Sequence, residues 1–211
     1  MVLFRRPAPG KERKKEVTYY IADLHFGHNN ILSFDNRMFP SIEVHDAELV
    51  TRWNEVVSPD DTVWILGDVS WYGPQRTTEI LGELNGTKNL VTGNHDKRMI
   101  RSRDVRDCFA EIVPYKEIEL EGGGGIVLCH YPIPCFNNHF YGWFHLYGHV
   151  HNSFEWNMMK QAKYQMEALY NTPCRMYNVG CMLPYMNYTP RTLSEIAEAN
   201  EKNEEEEDEN E

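Results

Sequence analysis

The 211-residue chain has no apolar run near the ~18 residues that a membrane-crossing helix needs, so no spanning segment and no membrane partner are expected. It has no C-x-x-C pair. Its five cysteines, Cys108, Cys129, Cys135, Cys174 and Cys181, are odd in number and scattered. That pattern speaks against a disulfide framework or a thiolate zinc site and predicts reduced thiols in a cytoplasmic protein. No internal repeat is visible. The opening stretch "MVLFRRPAPGKERKKE" is charged but lacks an apolar h-region, so it does not read as a secretory signal. Clusters of Lys and Arg are also missing outside the first 16 residues and 97–106, which argues against a basic track for nucleic acid.

What is present fits one domain with a real core: 41% hydrophobic and 25% charged residues. The net charge of −11 is unevenly spread, because residues 195–211 carry ten acids and one base while the rest is nearly neutral. The expected division is a flexible lead-in at 1–16, a domain at 17–195, and an acidic tail at 196–211 that is disordered by composition.

Along the chain, "VTYYIA" at 17–22, "TVWIL" at 62–66 and "KNLVT" at 88–92 read as buried strands. Between them, 43–57 has helical apolar spacing with Ser41 as N-cap, and 75–85 suits a helix stopped by Gly86. The second half alternates at 112–120 and is broken by "EGGGG" before "IVLC", which predicts a hairpin. "FHLY" at 144–147 and "CRMYNVG" at 174–180 are further strands, the latter the last one, and 155–170 is open between helix and irregular chain. "TLSE" at 192–195 is a capping box for a short terminal helix. Strands alternating with helices early and clustering late predict α/β layering, with one mixed sheet or two sheets face to face.

Polar residues stand directly after five of the apolar runs: Asp23 and His25; Asp68; Asn94 and His95; His130; His149 and His151. Ligands of α/β sheets collect beyond the carboxyl ends of strands, so these groups are expected to converge. Imidazoles, carboxylates and an amide oxygen without a thiolate suit manganese first, with iron, nickel or zinc as alternatives. Seven ligands (Asp23, His25, Asp68, Asn94, His130, His149 and His151) are too many for one tetrahedral ion and right for two ions sharing a carboxylate. In D-L-H and H-V-H the paired ligands are two apart, which on an extended backbone puts them on one side.

The ordered set D-x-H (Asp23, His25), G-D (Gly67, Asp68), G-N-H-D (Gly93 to Asp96), a lone His130 and G-H-x-H (Gly148 to His151) resembles the calcineurin-like metallophosphoesterases. The resemblance covers about 17–195. It implies a four-layer αββα sandwich of two mixed β-sheets flanked by helices. It assigns Asp23, His25 and His151 to one divalent ion, Asn94, His130 and His149 to a second, and Asp68 to both. It makes His95 the general acid and Asp96 the residue that holds His95 by a hydrogen bond. The implied reaction is hydrolysis of a phosphomonoester or phosphodiester by a hydroxide shared between the ions, on a small phosphoester substrate.

Within the family the chain departs from the protein Ser/Thr phosphatases, since "GDVSWYG" has no arginine, and from purple acid phosphatases, since Trp71 stands where they have a tyrosine ligand. "FGH" after "DLH", with "NRMF" at 36–39, looks more like the small bacterial and phage phosphoesterases. His28, Arg37 and Lys97 are candidate substrate contacts. A nuclease of the same superfamily and a catalytically inactive metal-binding scaffold are the competing readings.

Overall fold

The computed structural model describes residues 16–208. The expected flexible lead-in therefore lies almost wholly outside the described residues, as do the last three residues of the acidic tail.

The first half builds one sheet. β1 (Thr18–Ile21), β2 (Thr62–Leu66), β3 (Thr87–Val91) and β4 (Glu111–Val113) are parallel neighbours in the order β4-β3-β2-β1. β9 (Arg191–Thr192) closes the β1 edge as an antiparallel strand. These central strands are apolar toward their carboxyl ends, as parallel strands covered on both faces must be: Ile21, Val63, Ile65, Leu66, Leu90 and Val91 are all fully buried. The crossovers are α2 (Ile42–Val56), preceded by the short α1 (Ile31–Phe34), and α3 (Pro74–Glu83), and the short α4 (Arg103–Arg106) lies between β3 and β4. α2 starts where expected, with the Ser41 side chain accepting from the Val44 N–H, and it buries Leu49 and Trp53. α3 starts on Pro74 and stops at Glu83, short of Gly86, which instead makes the left-handed turn into β3.

The second half builds the other sheet, β5 (Lys116–Glu119), β6 (Gly125–Leu128), β7 (Phe144–Tyr147) and β8 (Met176–Asn178), in that order. β5 and β6 form the expected antiparallel hairpin, and β6, β7 and β8 are parallel. Side-chain alternation divides this sheet between two cores. Ile126, Leu128, Leu146 and Tyr177 face the first sheet, whereas Val127, Tyr147 and Met176 pack with Phe136 and the inner side of α5 (Phe154–Tyr170). The architecture is thus two mixed sheets face to face with helices outside.

Three expectations are corrected, and one stretch left open is resolved. The stretch 112–120 is two strands in different sheets, because Pro114, which has no N–H to donate, interrupts the ladder between β4 and β5. Residues 155–170 are helical. β8 is followed by β9, a two-residue edge strand too short to leave a periodic signal. α6 (Leu193–Asp208) runs sixteen residues, so the backbone is helical through most of the stretch expected as a disordered tail. Its capping box is as expected, with Thr192 Oγ1 accepting from the Glu195 N–H and Glu195 Oε2 from the Thr192 N–H. Among the described residues, no helix is long and apolar enough to cross a membrane.

Candidate metal centre

β1, β2, β3, β6 and β7 are mutually parallel within their sheets, and their carboxyl ends release the loops that carry the candidate residues. The two sheets are joined at this edge by a parallel bridge between Ala22 and Gly180. Asp23, His25, Asp68, His149 and His151 all have left-handed backbone, with φ of 57°, 55°, 55°, 71° and 50°. Such a conformation costs a non-glycine residue roughly 1–3 kcal/mol. Leu24 and Val150, the middle residues of D-L-H and H-V-H, are buried at 0% and 4% exposure. Their burial contributes about 1.5–3 kcal/mol each, enough to offset part of that strain. Each motif is a tight knuckle with an apolar centre in the core and two polar flanks turned to one side. The extended geometry expected for these pairs is therefore wrong, although its consequence, two ligands on one side, holds.

The polar flanks converge. Asp23, His25 and His151 offer ligand atoms within 4.8 Å of one another, and so do Asp23, Asp68 and His130. Asp68 Oδ2 stands between His25 Nε2 (3.8 Å) and His130 Nε2 (3.7 Å). Asn94 Oδ1 lies 2.9 Å from His130 Nε2 and 3.0 Å from His149 Nδ1.

These donors fit metal ions on two observations. His25 Nε2 is buried without a hydrogen-bond partner, a costly state for a polar atom. His130 Nδ1 lies 2.8 Å from the Leu66 carbonyl, which can only accept, so Nδ1 carries the proton. With its single proton on Nδ1, the ring turns the Nε2 lone pair on the Asn94 oxygen, a repulsive contact unless a cation lies between them.

Two staples hold the loops in place. The buried Asp96 carboxylate accepts the N–H groups of Asp68 (3.0 Å) and Gly93 (2.8 Å) on Oδ2 and of Val69 (2.9 Å) on Oδ1. The expected hydrogen bond to the His95 ring is thus replaced by a tie between the loops after β2 and β3, because three buried N–H groups compete for the same two oxygens. In turn, Asp68 Oδ1 accepts the His95 N–H at 3.0 Å, leaving Oδ2 for the pocket. The two loops approach so closely that a Cβ on Gly93 would collide with the Asp68 carboxylate, and one on Gly67 (φ +83°) would collide with the His130 ring.

His95 is exposed at the pocket mouth, its ring 4.6 Å from that of Trp71. His28 lies flat on the same indole at 4.3 Å and 6°, with Nδ1 3.3 Å from His25 Nδ1. Lys97 is exposed on the turn beyond. Arg37 is not available to a substrate: it is 3% exposed, and its guanidinium is spent on protein acceptors described below. A buried arginine inside "FDNRMF" looks in sequence like an exposed loop cation. Three residues of the site were missed: Trp71, Tyr131, whose ring lies 4.7 Å from that of His149, and Asp35, which binds His151. Tyr131 directly follows His130 and Trp71 stands three residues after Asp68, and this closeness along the chain was the available signal. Asp35 had none.

Burial lowers the His25 and His149 imidazoles below their ordinary value, and the Arg37 charge adds to the effect at His25. Burial raises the Asp68 carboxyl, with His130 opposing and Asp23 reinforcing. At His151 burial also acts to lower the imidazole, but its hydrogen bond to Asp35 and the charges of Asp23 and Asp35 lift it above the ordinary value. Neutral imidazoles beside crowded carboxylates are the condition in which a divalent cation relieves electrostatic cost.

The family model described as calcineurin-like phosphoesterase matches residues 18–172. The chain is 31% identical over 182 residues to an uncharacterized protein of Methanocaldococcus jannaschii, covering 85% of this chain and 89% of that one. It is 40% identical over 91 residues to the gene 66 protein of Mycobacterium phage L5, covering 42% of this chain, so the match spans less than half of that relative's length, 44%. The crystal structure of a protein of unknown function from Aquifex aeolicus superposes with a TM-score of 0.65 at 26% identity, over 88% of this chain and 100% of that one.

Proposed function

The chain belongs to the calcineurin-like phosphoesterase family, and from that premise we propose that it hydrolyses a phosphomonoester or phosphodiester of a small substrate with two divalent ions, manganese first. Asp23, His25 and His151 would hold one ion and Asn94, His130 and His149 the other, with Asp68 available to both. The observation that carries this reading is the set of unmet lone pairs: the partnerless His25 Nε2 and the His130 Nε2 that faces the Asn94 oxygen. When bound, the ions supply an activated water and offset charge on the phosphoryl oxygens.

The protein groups do the rest. Asp96 and Asp68 fix the backbone of the G-N-H-D turn, so His95 is presented at the mouth of the pocket by a rigid turn. Its imidazole gives a proton to the departing alkoxide oxygen, which otherwise leaves as a strong base. Trp71 and His28 wall the entrance beside it. The donor set, imidazole nitrogen and carboxylate or amide oxygen, matches the borderline-hard ions of the first transition row. The five cysteines, with no disulfide among the described residues, suit a reducing compartment, and we assign the protein to the cytoplasm.

The test is a turnover panel of aryl phosphate monoesters, bis-esters and cyclic esters with added manganese. His95→Ala should retain its metal and lose about 10²–10⁴-fold in turnover, most with poor leaving groups. Loss of a metal equivalent in that variant would show that His95 is a ligand and not the acid.

A further inference from the structure

A buried polar chain runs behind the pocket, and the chemistry above does not use it. Asp35, Arg37, His45 and Asp46 are 7%, 3%, 0% and 5% exposed. Charge this deep is tolerated only when its donors and acceptors are met. Here they are met. Arg37 Nε and Nη2 donate to Asp35 Oδ2 at 2.9 and 2.8 Å. Nη2 also donates to the Asp23 carbonyl (2.9 Å), and Nη1 to the Leu24 carbonyl (3.2 Å) and to His45 Nε2 (2.9 Å). All five guanidinium protons are therefore engaged. Because Arg37 can only donate, His45 Nε2 accepts, and its protonated Nδ1 donates to Asp46 Oδ1 at 2.8 Å. Asp46 Oδ2 takes the Gly27 N–H at 3.0 Å.

At the other end, His151 Nδ1 is 2.8 Å from both oxygens of Asp35. A carboxylate paired with an arginine can only accept, so Nδ1 carries the proton and Nε2 presents its lone pair to Asp23 and His25. The middle of this network therefore grips the backbone of D-L-H, and its Asp35 end sets the ring of the last histidine in H-V-H. Neutralising Arg37 explains only Asp35 Oδ2; Oδ1 faces His151.

We propose that Asp35 is a positioning residue for the ion held by Asp23, His25 and His151, with Arg37 as the clamp that fixes both Asp35 and the backbone of the first motif. The inference rests on the two-ion reading above. The carboxylate fixes the tautomer and plane of His151 and makes Nε2 a better donor, an arrangement whose loss typically weakens metal affinity 10–100-fold. Among the described residues no carboxylate is hydrogen-bonded to the His149 ring, so the effect is confined to one ion.

The experiment is a calorimetric manganese titration of the apo full-length chain, with metal content checked by elemental analysis. Wild type should take two equivalents. Asp35→Asn should keep one at unchanged affinity and bind the other about 10–100-fold more weakly. Two equivalents at wild-type affinity in Asp35→Asn would overturn the inference and leave the two-ion reading standing, and equal weakening of both ions would also overturn it. No binding by wild type would sink the two-ion reading and this inference with it. Since Asp35→Asn places an amide donor against Arg37 and can unfold the chain, imidazole ¹⁵N spectra of zinc-loaded wild type give a second reading. They should show His151 protonated at Nδ1 and metallated at Nε2, and the opposite tautomer would refute the proposal.

Discussion

Asp96 separates two explanations of the G-N-H-D turn: a residue that orients the His95 ring, or a staple between two loops. The structure assigns the second. Three buried N–H groups, of Asp68, Val69 and Gly93, end on this carboxylate at 2.8–3.0 Å. A hydrogen bond to a charged acceptor contributes about 1.5–3 kcal/mol, and a buried donor left alone costs a similar amount. Asp96→Ala strands all three, so with partial relief from water entering the space it should cost on the order of 4–5 kcal/mol, near the upper end for one substitution. Asp96→Asn can turn its oxygen to the Oδ2 side and keep Asp68 and Gly93. It then meets the Val69 N–H with an amide donor, for a loss of about 2 kcal/mol. Urea unfolding in chelator measures both costs free of metal linkage. The pH–rate profile of Asp96→Asn, measured where it is still folded, should keep the wild-type limb assigned to the acid. Wild-type stability in Asp96→Asn, together with a loss of turnover matching His95→Ala, would refute the staple and restore the hydrogen bond that the sequence pattern implied.

His145 gives a pH prediction away from the metal pocket. Its Nδ1 donates to the Val127 carbonyl and its Nε2 accepts the Ile133 N–H, so the neutral ring is fully satisfied, and burial lowers it from 6.5 to about 4. Below 6.5 the unfolded chain takes up a proton that the folded one refuses. The stability this group confers is complete above 6.5 and is lost as pH falls toward 4, by about 3 kcal/mol. Unfolding curves from pH 7 to 4 should show this slope, reduced in His145→Gln; equal slopes would contradict it. Gly93→Ala should drive a methyl into the Asp68 carboxylate and to 2.7 Å from the Asp68 backbone nitrogen. An overpacking cost of about 1–3 kcal/mol and at least tenfold weaker manganese binding are expected; an unchanged titration would mean that the two loops have slack.

Several elements were legible because their signal is local. β1, β2 and β3 are runs of apolar residues, α2 has its cap and its period, and the capping box at Thr192 sits within four residues. The motif residues were legible for the same reason, each directly following an apolar run. The split of 112–120 was not, because an alternating pattern does not say which sheet will pair with it. Arg37 was misjudged because its acceptors lie on other segments: the carbonyls of Asp23 and Leu24 and the ring of His45.

Residue types and spacing by themselves thus picked out the polar groups that converge, in what order, and on strand ends that a parallel sheet must gather at one edge. Tertiary structure alone decided the division of labour around them. It made Asp96 a tie between loops, turned Arg37 inward, and set Asp35 behind His151, its partner 116 residues away. Covalent order records which groups exist, but a buried hydrogen bond is assigned only when folding has removed water and left each donor a single acceptor within reach.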